Sequence, residues 1–161
     1  MKLFRNTVAV VVLTASFALA ESGQKTFDAL KGLEGTWEGK NQQGQTLTVS
    51  FRTTSGGSAI LSEIHGKGED MVSMFHMDGD RLLMTHYCGA GNQPRMKATM
   101  APDGKSVAFD FMDATNLVSP DAGHMQRAVF GIPDASHHTE EWTFLDHGKE
   151  MKELFTLERV K

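Results

Sequence analysis

The chain of 161 residues has a single cysteine, Cys88, so no disulfide can form within it and its core alone must hold the fold. Four prolines and 16 glycines are too few for a collagen-like or low-complexity chain. A hydrophobic content of 40% with 22% charged residues excludes a disordered one. Positive charge is scarce as well: 16 Lys and Arg stand against 20 Asp and Glu, giving −4, and no basic cluster offsets the balance. That excludes a sequence-independent grip on nucleic acid or on an anionic membrane surface. No uninterrupted apolar run approaches the roughly 20 residues that span a bilayer, so membrane insertion is not expected.

The longest apolar run, Val8 to Leu13, belongs to the segment MKLFRNTVAVVVLTASFALA. Lys2 and Arg5 precede the run, Thr14 and Ser16 interrupt it, and Ala18-Leu19-Ala20 closes it with the small residues a signal peptidase reads. Residues 1–20 are therefore expected to be a secretory signal peptide, cleaved before Glu21, with residues 21–161 forming one exported domain, periplasmic or secreted. Removal of Lys2 and Arg5 makes the mature chain more acidic still. In such a compartment the lone thiol of Cys88 reads as a small buried apolar group.

Beyond the leader, Phe27, Leu30 and Leu33 recur at helical spacing, a turn or two of amphipathic helix ending at Gly35. Period-two stretches then alternate with turn signals about every ten residues, and no second long helical pattern follows. Gln43-Gly44, Gly56-Gly57, Lys67-Gly68, Asp78-Gly79, Gly89 to Asn92, Asp103-Gly104 and His147-Gly148 punctuate strands near 35–42, 45–54, 58–66, 69–77, 80–88, 94–101, 105–112, 124–131, 138–146 and 149–159. The expected fold is all-β, an antiparallel up-and-down barrel of about ten strands with a short N-terminal helix. Closure would also remove the edge strands that invite aggregation.

Gly35-Thr36-Trp37, placed after a short helix at the start of the first strand, resembles the G-x-W of the calycin superfamily of lipocalins, fatty-acid-binding proteins and nitrobindins. The resemblance implies that Trp37 plugs the closed end of a calycin-like barrel. The stretch from Thr85 to Met96, THYCGAGNQPRM, is similar to the central segment of an uncharacterised family of exported bacterial lipocalin-like domains, which implies ten strands. Nitrobindin-like barrels hold haem through a His near the C-terminal end. This chain ends Leu157-Glu158-Arg159-Val160-Lys161 without one, so no cofactor is expected and haem is disfavoured.

The chemistry-bearing residues gather around the fifth strand. If Asp78-Gly79 is a two-residue turn, Phe75 lies opposite Leu82, Ser73 opposite Met84 and Met71 opposite His86. One face then carries Met71, Phe75, Met77, Leu82, Met84, His86 and Cys88, and its apolar character points it inward. Asn92, Gln93 and Arg95 follow directly, so amide, imidazole and guanidinium groups stand beside an apolar interior, the composition of a small-molecule pocket. Arg95 offers a bidentate anchor for an anion. Glu63 in the third strand either faces this cavity or stands solvated outside. Equally, His86 and Asn92 either meet a ligand or satisfy backbone groups at a tight turn.

The expected function is to hold a small, largely apolar or amphipathic molecule with a polar or anionic head. Its lining would be Met71, Phe75 and Met84 for the tail, with His86, Cys88, Asn92, Gln93, Arg95 and Glu63 near the head. An isomerase- or hydrolase-like enzyme using His86 with Glu63 or Cys88 is the first alternative, although no catalytic motif is present and no catalytic residue is assigned. Periplasmic copper handling is the second, since Met71, Met74, His76 and Met77, with His124, Met125 and Cys88 elsewhere, supply suitable ligand atoms. Alternation, however, sends Met74 and His76 to the opposite face from Met71 and Met77. No His pair has zinc-site spacing, and no metal site is assigned.

Overall fold

A computed structural model describes residues 23–160; the expected signal peptide, its cleavage site before Glu21 and Lys161 lie outside the described residues. A helix, α1 (residues 23–31), leads into ten strands. They are β1 (Gly35–Lys40), β2 (Thr46–Thr54), β3 (Ala59–Gly66), β4 (Glu69–Asp78), β5 (Arg81–Tyr87), β6 (Gln93–Met100), β7 (Ser106–Thr115), β8 (His124–Gly131), β9 (His137–Asp146) and β10 (Lys149–Arg159). Each strand pairs antiparallel with the next, and β10 returns to β1, closing the barrel. Closure gives every strand two hydrogen-bonded neighbours, so no edge is left to pair with another chain.

Alternation decides which side chains fill the interior. Leu47, Val49 and Phe51 of β2 are buried while Arg52 between the sheet and solvent is exposed, and Val107 and Phe109 of β7 are buried opposite exposed Asp110. The inward aromatics meet at the centre: Phe75 packs on Phe109 at 5.4 Å and on Phe130 at 5.7 Å between ring centroids, and Phe51 packs on both Phe75 and Phe130. Edge-to-face contacts at such distances contribute about 0.5–1.5 kcal/mol each beyond area burial. These rings form a packed aromatic core within the barrel. Phe75 and Met84, expected to line a cavity, are both fully buried within that core.

One end is sealed. Phe27, Leu30 and Leu33 of α1 and the following turn are buried in the same core as Trp37. Trp37 is fully buried and its indole N–H donates to the Leu33 carbonyl at 2.7 Å. Arg159, from the end of β10, lays its guanidinium over the Trp37 ring at 4.2 Å and donates to the carbonyls of Gly32, Glu34 and Ala135. Gly35 adopts φ +127°, and a Cβ there would meet the Arg159 guanidinium at 2.9 Å. Both its backbone conformation and the space above it therefore require glycine.

The β4–β5 hairpin differs from expectation in register. Its loop is Gly79-Asp80, with Gly79 at φ +62°, so Met77 pairs with Leu82, Phe75 with Met84 and Ser73 with His86. A glycine at the first loop position is what a two-residue turn matched to strand twist prefers. The two-residue slip preserves every face, because side chains alternate with period two, but it changes the partner of His86 from Met71 to Ser73.

Candidate functional site

The opposite, open end carries the β1–β2, β3–β4, β5–β6, β7–β8 and β9–β10 connections. On β10, Met151, Glu153, Phe155 and Leu157 point inward and pair with Phe144, Trp142, Glu140 and His138 of β9. Met125 of the neighbouring β8 and, across the barrel, Met71 of β4 complete a pocket of about 180 Å³ lined by Met71, Met125, Trp142, Phe144, Met151 and Phe155, together with Lys152 and Glu153. Glu153 accepts from the Gln42 backbone N–H and the Gln43 amide, both at 3.1 Å, which ties the β1–β2 loop to the rim. A second pocket of about 320 Å³ lies alongside and shares Phe144; Asn92, Asn116, Val118 and Gly123 help to line it.

Beneath the methionine layer the interior becomes polar. His86 is fully buried, its Nδ1 lies 2.9 Å from Ser73 Oγ, and its ring packs on Trp142 at 4.7 Å. Burial lowers the pKa of His86 from 6.5 to about 4, because a charged imidazole would lose its hydration there. The ring is accordingly neutral at physiological pH. Its Nε2 is buried with no hydrogen-bond partner. Leaving such a group unsatisfied costs about 1–3 kcal/mol, so a solid core gains nothing by keeping it.

A second polar cluster stands on β9. Glu140, 1% exposed, accepts from the Trp142 indole N–H at 2.9 Å and lies 3.0 Å from His138 Nε2. His138 is fully buried against Trp37 at 4.5 Å and Phe51 at 5.6 Å, and its Nδ1 is unpartnered. Trp142 is the link between the levels: it touches His86, hydrogen-bonds Glu140 and lines the mouth pocket. The sequence reading missed Ser73, His138, Glu140 and Trp142 as a group. Their common inward parity on β4 and β9 was visible, but not that closure would bring those faces together.

The other expected site residues divide by face. Asn92 is buried, donates to the Gly123 carbonyl at 2.8 Å, and leaves its Oδ1 without a partner beside the second pocket. Cys88 is half-buried in the adjoining turn, where its backbone N–H donates to the Asn92 carbonyl. Arg95, expected near the head, instead stands on the outer face. It forms a two-pronged pair with Asp113 at 2.6 Å, and the hydrogen bond from Arg95 holds the Asp113 carboxyl below its ordinary value. Gln93 is likewise on the outside, bonded to Thr115. Glu63 alternates with the buried Ser62 and Ile64 and so faces outward. None of the three lines either mouth pocket. The physical reason is parity: Asn92, Pro94 and Met96 take the inward positions of this stretch.

Met74 and His76 point away from Met71, as alternation requires, so the β4 run does not converge on a metal. Among the described residues no group of three or more His, Cys, Asp and Glu is placed to hold one. β10 carries no imidazole, and the His86 ring packs on Trp142.

No family model and no curated protein matches the sequence. Solved structures share the fold. The crystal structure of Rv2717c from M. tuberculosis aligns over 84% of this chain and 97% of its own at 14% identity, with a TM-score of 0.58. A protein of unknown function from the DUF3598 family of Nostoc punctiforme aligns over 81% of this chain at 12% identity, with a TM-score of 0.54; the match spans 49% of that protein. At such identities the likeness is one of architecture: this chain folds as a closed ten-stranded antiparallel barrel shared with proteins from distant sources.

Proposed function

We propose that the protein is an exported, calycin-like binding protein that takes a small, largely apolar molecule with a polar end into the open end of its barrel. One observation carries the reading: Trp142, which lines a methionine- and aromatic-lined pocket, packs on a buried imidazole whose Nε2 has no partner. Flexible thioethers adapt to irregular apolar shapes, and a few polar groups in an apolar cleft fix a ligand's orientation. The pocket's roughly 180 Å³ is below the range usual for drug-sized ligands, which favours a compact molecule. Export, with cleavage before Glu21, follows from the leader pattern alone. Purification from the native host, with N-terminal sequencing and solvent extraction for mass spectrometry, tests both parts. A stoichiometric small molecule and an N-terminus at Glu21 are expected; an empty barrel that takes up no apolar probe would overturn the binding reading.

A second reading rests on a different observation. Met71, Met125 and Met151 come from three strands to one pocket beside the Trp142 face, a soft donor set of the kind that takes Cu(I). Titration with Cu(I) against a chromogenic chelator decides it: one tight equivalent lost in Met71→Leu would favour this reading, and no competition with the chelator would eliminate it.

A further inference from the structure

The polar end of the ligand can be specified further, on the footing of the binding reading above. The charges that face the two mouth pockets are Lys152, Glu153 and Asp146, with Glu140 buried below them. Lys152 is already paired with Glu141 at 3.0 Å, and Asp146 accepts from or pairs with His147 at 2.8 Å. Acids therefore outnumber bases around the site, and Arg95, the guanidinium nearest in sequence, is committed to Asp113 on the outer face. The buried polar atoms left without partners toward the mouth, His86 Nε2, Asn92 Oδ1 and Thr143 Oγ1, all belong to uncharged groups. An anionic head would enter a low-dielectric space lined, among the described residues, by no unpaired cation and with the buried Glu140 nearby, and burying an unpaired charge is far costlier than burying a hydrogen-bonded neutral group.

We infer that the site selects an uncharged polar end, a hydroxyl or carbonyl on a short apolar chain, seated against His86 Nε2 with the chain running outward among Met71, Met125 and Met151. Either tautomer of His86 serves, since Ser73 Oγ can accept from or donate to Nδ1, leaving Nε2 free to accept from an alcohol or donate to a carbonyl. Trp142 covers the imidazole and also lines the pocket, so the head reaches Nε2 by turning the indole aside. Trp142 is then the reporter of binding, Trp37 being sealed at the far end.

The test compares three probes of one chain length, 1-octanol, octanoate and octylammonium, titrated into the purified protein at neutral pH by calorimetry and tryptophan fluorescence. Octanol is expected to bind at least tenfold more tightly than either ion. His86→Leu is expected to weaken octanol about tenfold, and His86→Gln, which keeps a neutral hydrogen-bonding group, to restore much of the loss; thermal melts check that both variants fold. Octanoate binding as tightly as octanol, or octanol affinity unchanged in His86→Leu, would overturn this inference while leaving the binding reading intact. Failure of all three probes to bind would overturn both.

Discussion

The two ends of the barrel are built to opposite specifications. At the closed end the donors around Trp37 are engaged, although Nδ1 of the buried His138 beside that ring has no partner: the Trp37 indole reaches Leu33, and three guanidinium nitrogens of Arg159 reach three carbonyls while the same group covers the Trp37 ring. At the open end, polar atoms are buried and left over beside pockets, His86 Nε2 behind the Trp142 wall of the methionine-lined one and Asn92 Oδ1 at the other. Satisfied polar groups around a large aromatic make a rigid stopper. Unsatisfied ones beneath a pocket represent stability forgone, which is what a surface prepared for a partner looks like. The contrast teaches where to look for function in a barrel whose interior is packed with aromatic rings.

Four experiments would break or sharpen that contrast. The largest effect is expected from Trp37→Ala, which empties the stopper and should cost about 3–5 kcal/mol in denaturant unfolding. If the ends are independent, octanol affinity measured under conditions where the variant remains folded will be unchanged.

Next in size is the acid response set by His86. Its folded pKa of about 4 lies below the ordinary 6.5, so between these values the unfolded chain binds a proton that the folded chain refuses. Stability is therefore full above pH 6.5 and falls as pH drops toward 4, by about 3 kcal/mol in all. In His86→Leu this slope should flatten, while stability at neutral pH should change by no more than about 1 kcal/mol, because the unsatisfied Nε2 is removed but the buried Ser73 hydroxyl loses its partner. A marked loss of stability at neutral pH that persists in Ser73→Ala/His86→Leu, where no orphaned hydroxyl remains, would mean the imidazole belongs to the packed core and not to a site.

Arg159→Met should cost about 2 kcal/mol in the same unfolding assay, through the charged hydrogen bonds to three carbonyls. Arg159→Lys should recover little, since an ammonium cannot reproduce the planar fork over the Trp37 ring. Smallest is Arg95→Ala, which breaks an exposed surface pair with Asp113 and should change neither melting nor ligand affinity measurably. Lost binding in that variant would return an anion anchor to the site.

Much of the barrel was legible in the chain. Strand existence and facing follow from period-two alternation and from Gly and Asn at turns, and these are local properties, so β2, β5 and β7 could be oriented without a structure. Even the misplaced β4–β5 loop left the faces correct, because an even slip conserves parity. The partners of His86 were not legible, since Ser73 rather than Met71 stands opposite it only when the turn is Gly79-Asp80. Arg95 was misassigned for a related reason: nearness along the chain suggested a common pocket, whereas one step in a strand reverses the side on which a residue stands.

By itself, the sequence determined an all-β domain held without a disulfide, with Trp37 at its start and His86 on an inward face. Tertiary structure alone decided that β10 would bring Arg159 over Trp37, that β9 would set Glu140 and His138 in the same interior as His86, and that Met71, Met125 and Met151 would meet at one mouth. Alternation is a rule between neighbours in sequence. Meeting across a barrel depends on closure and on the register accumulated over ten strands, which no single stretch of chain encodes.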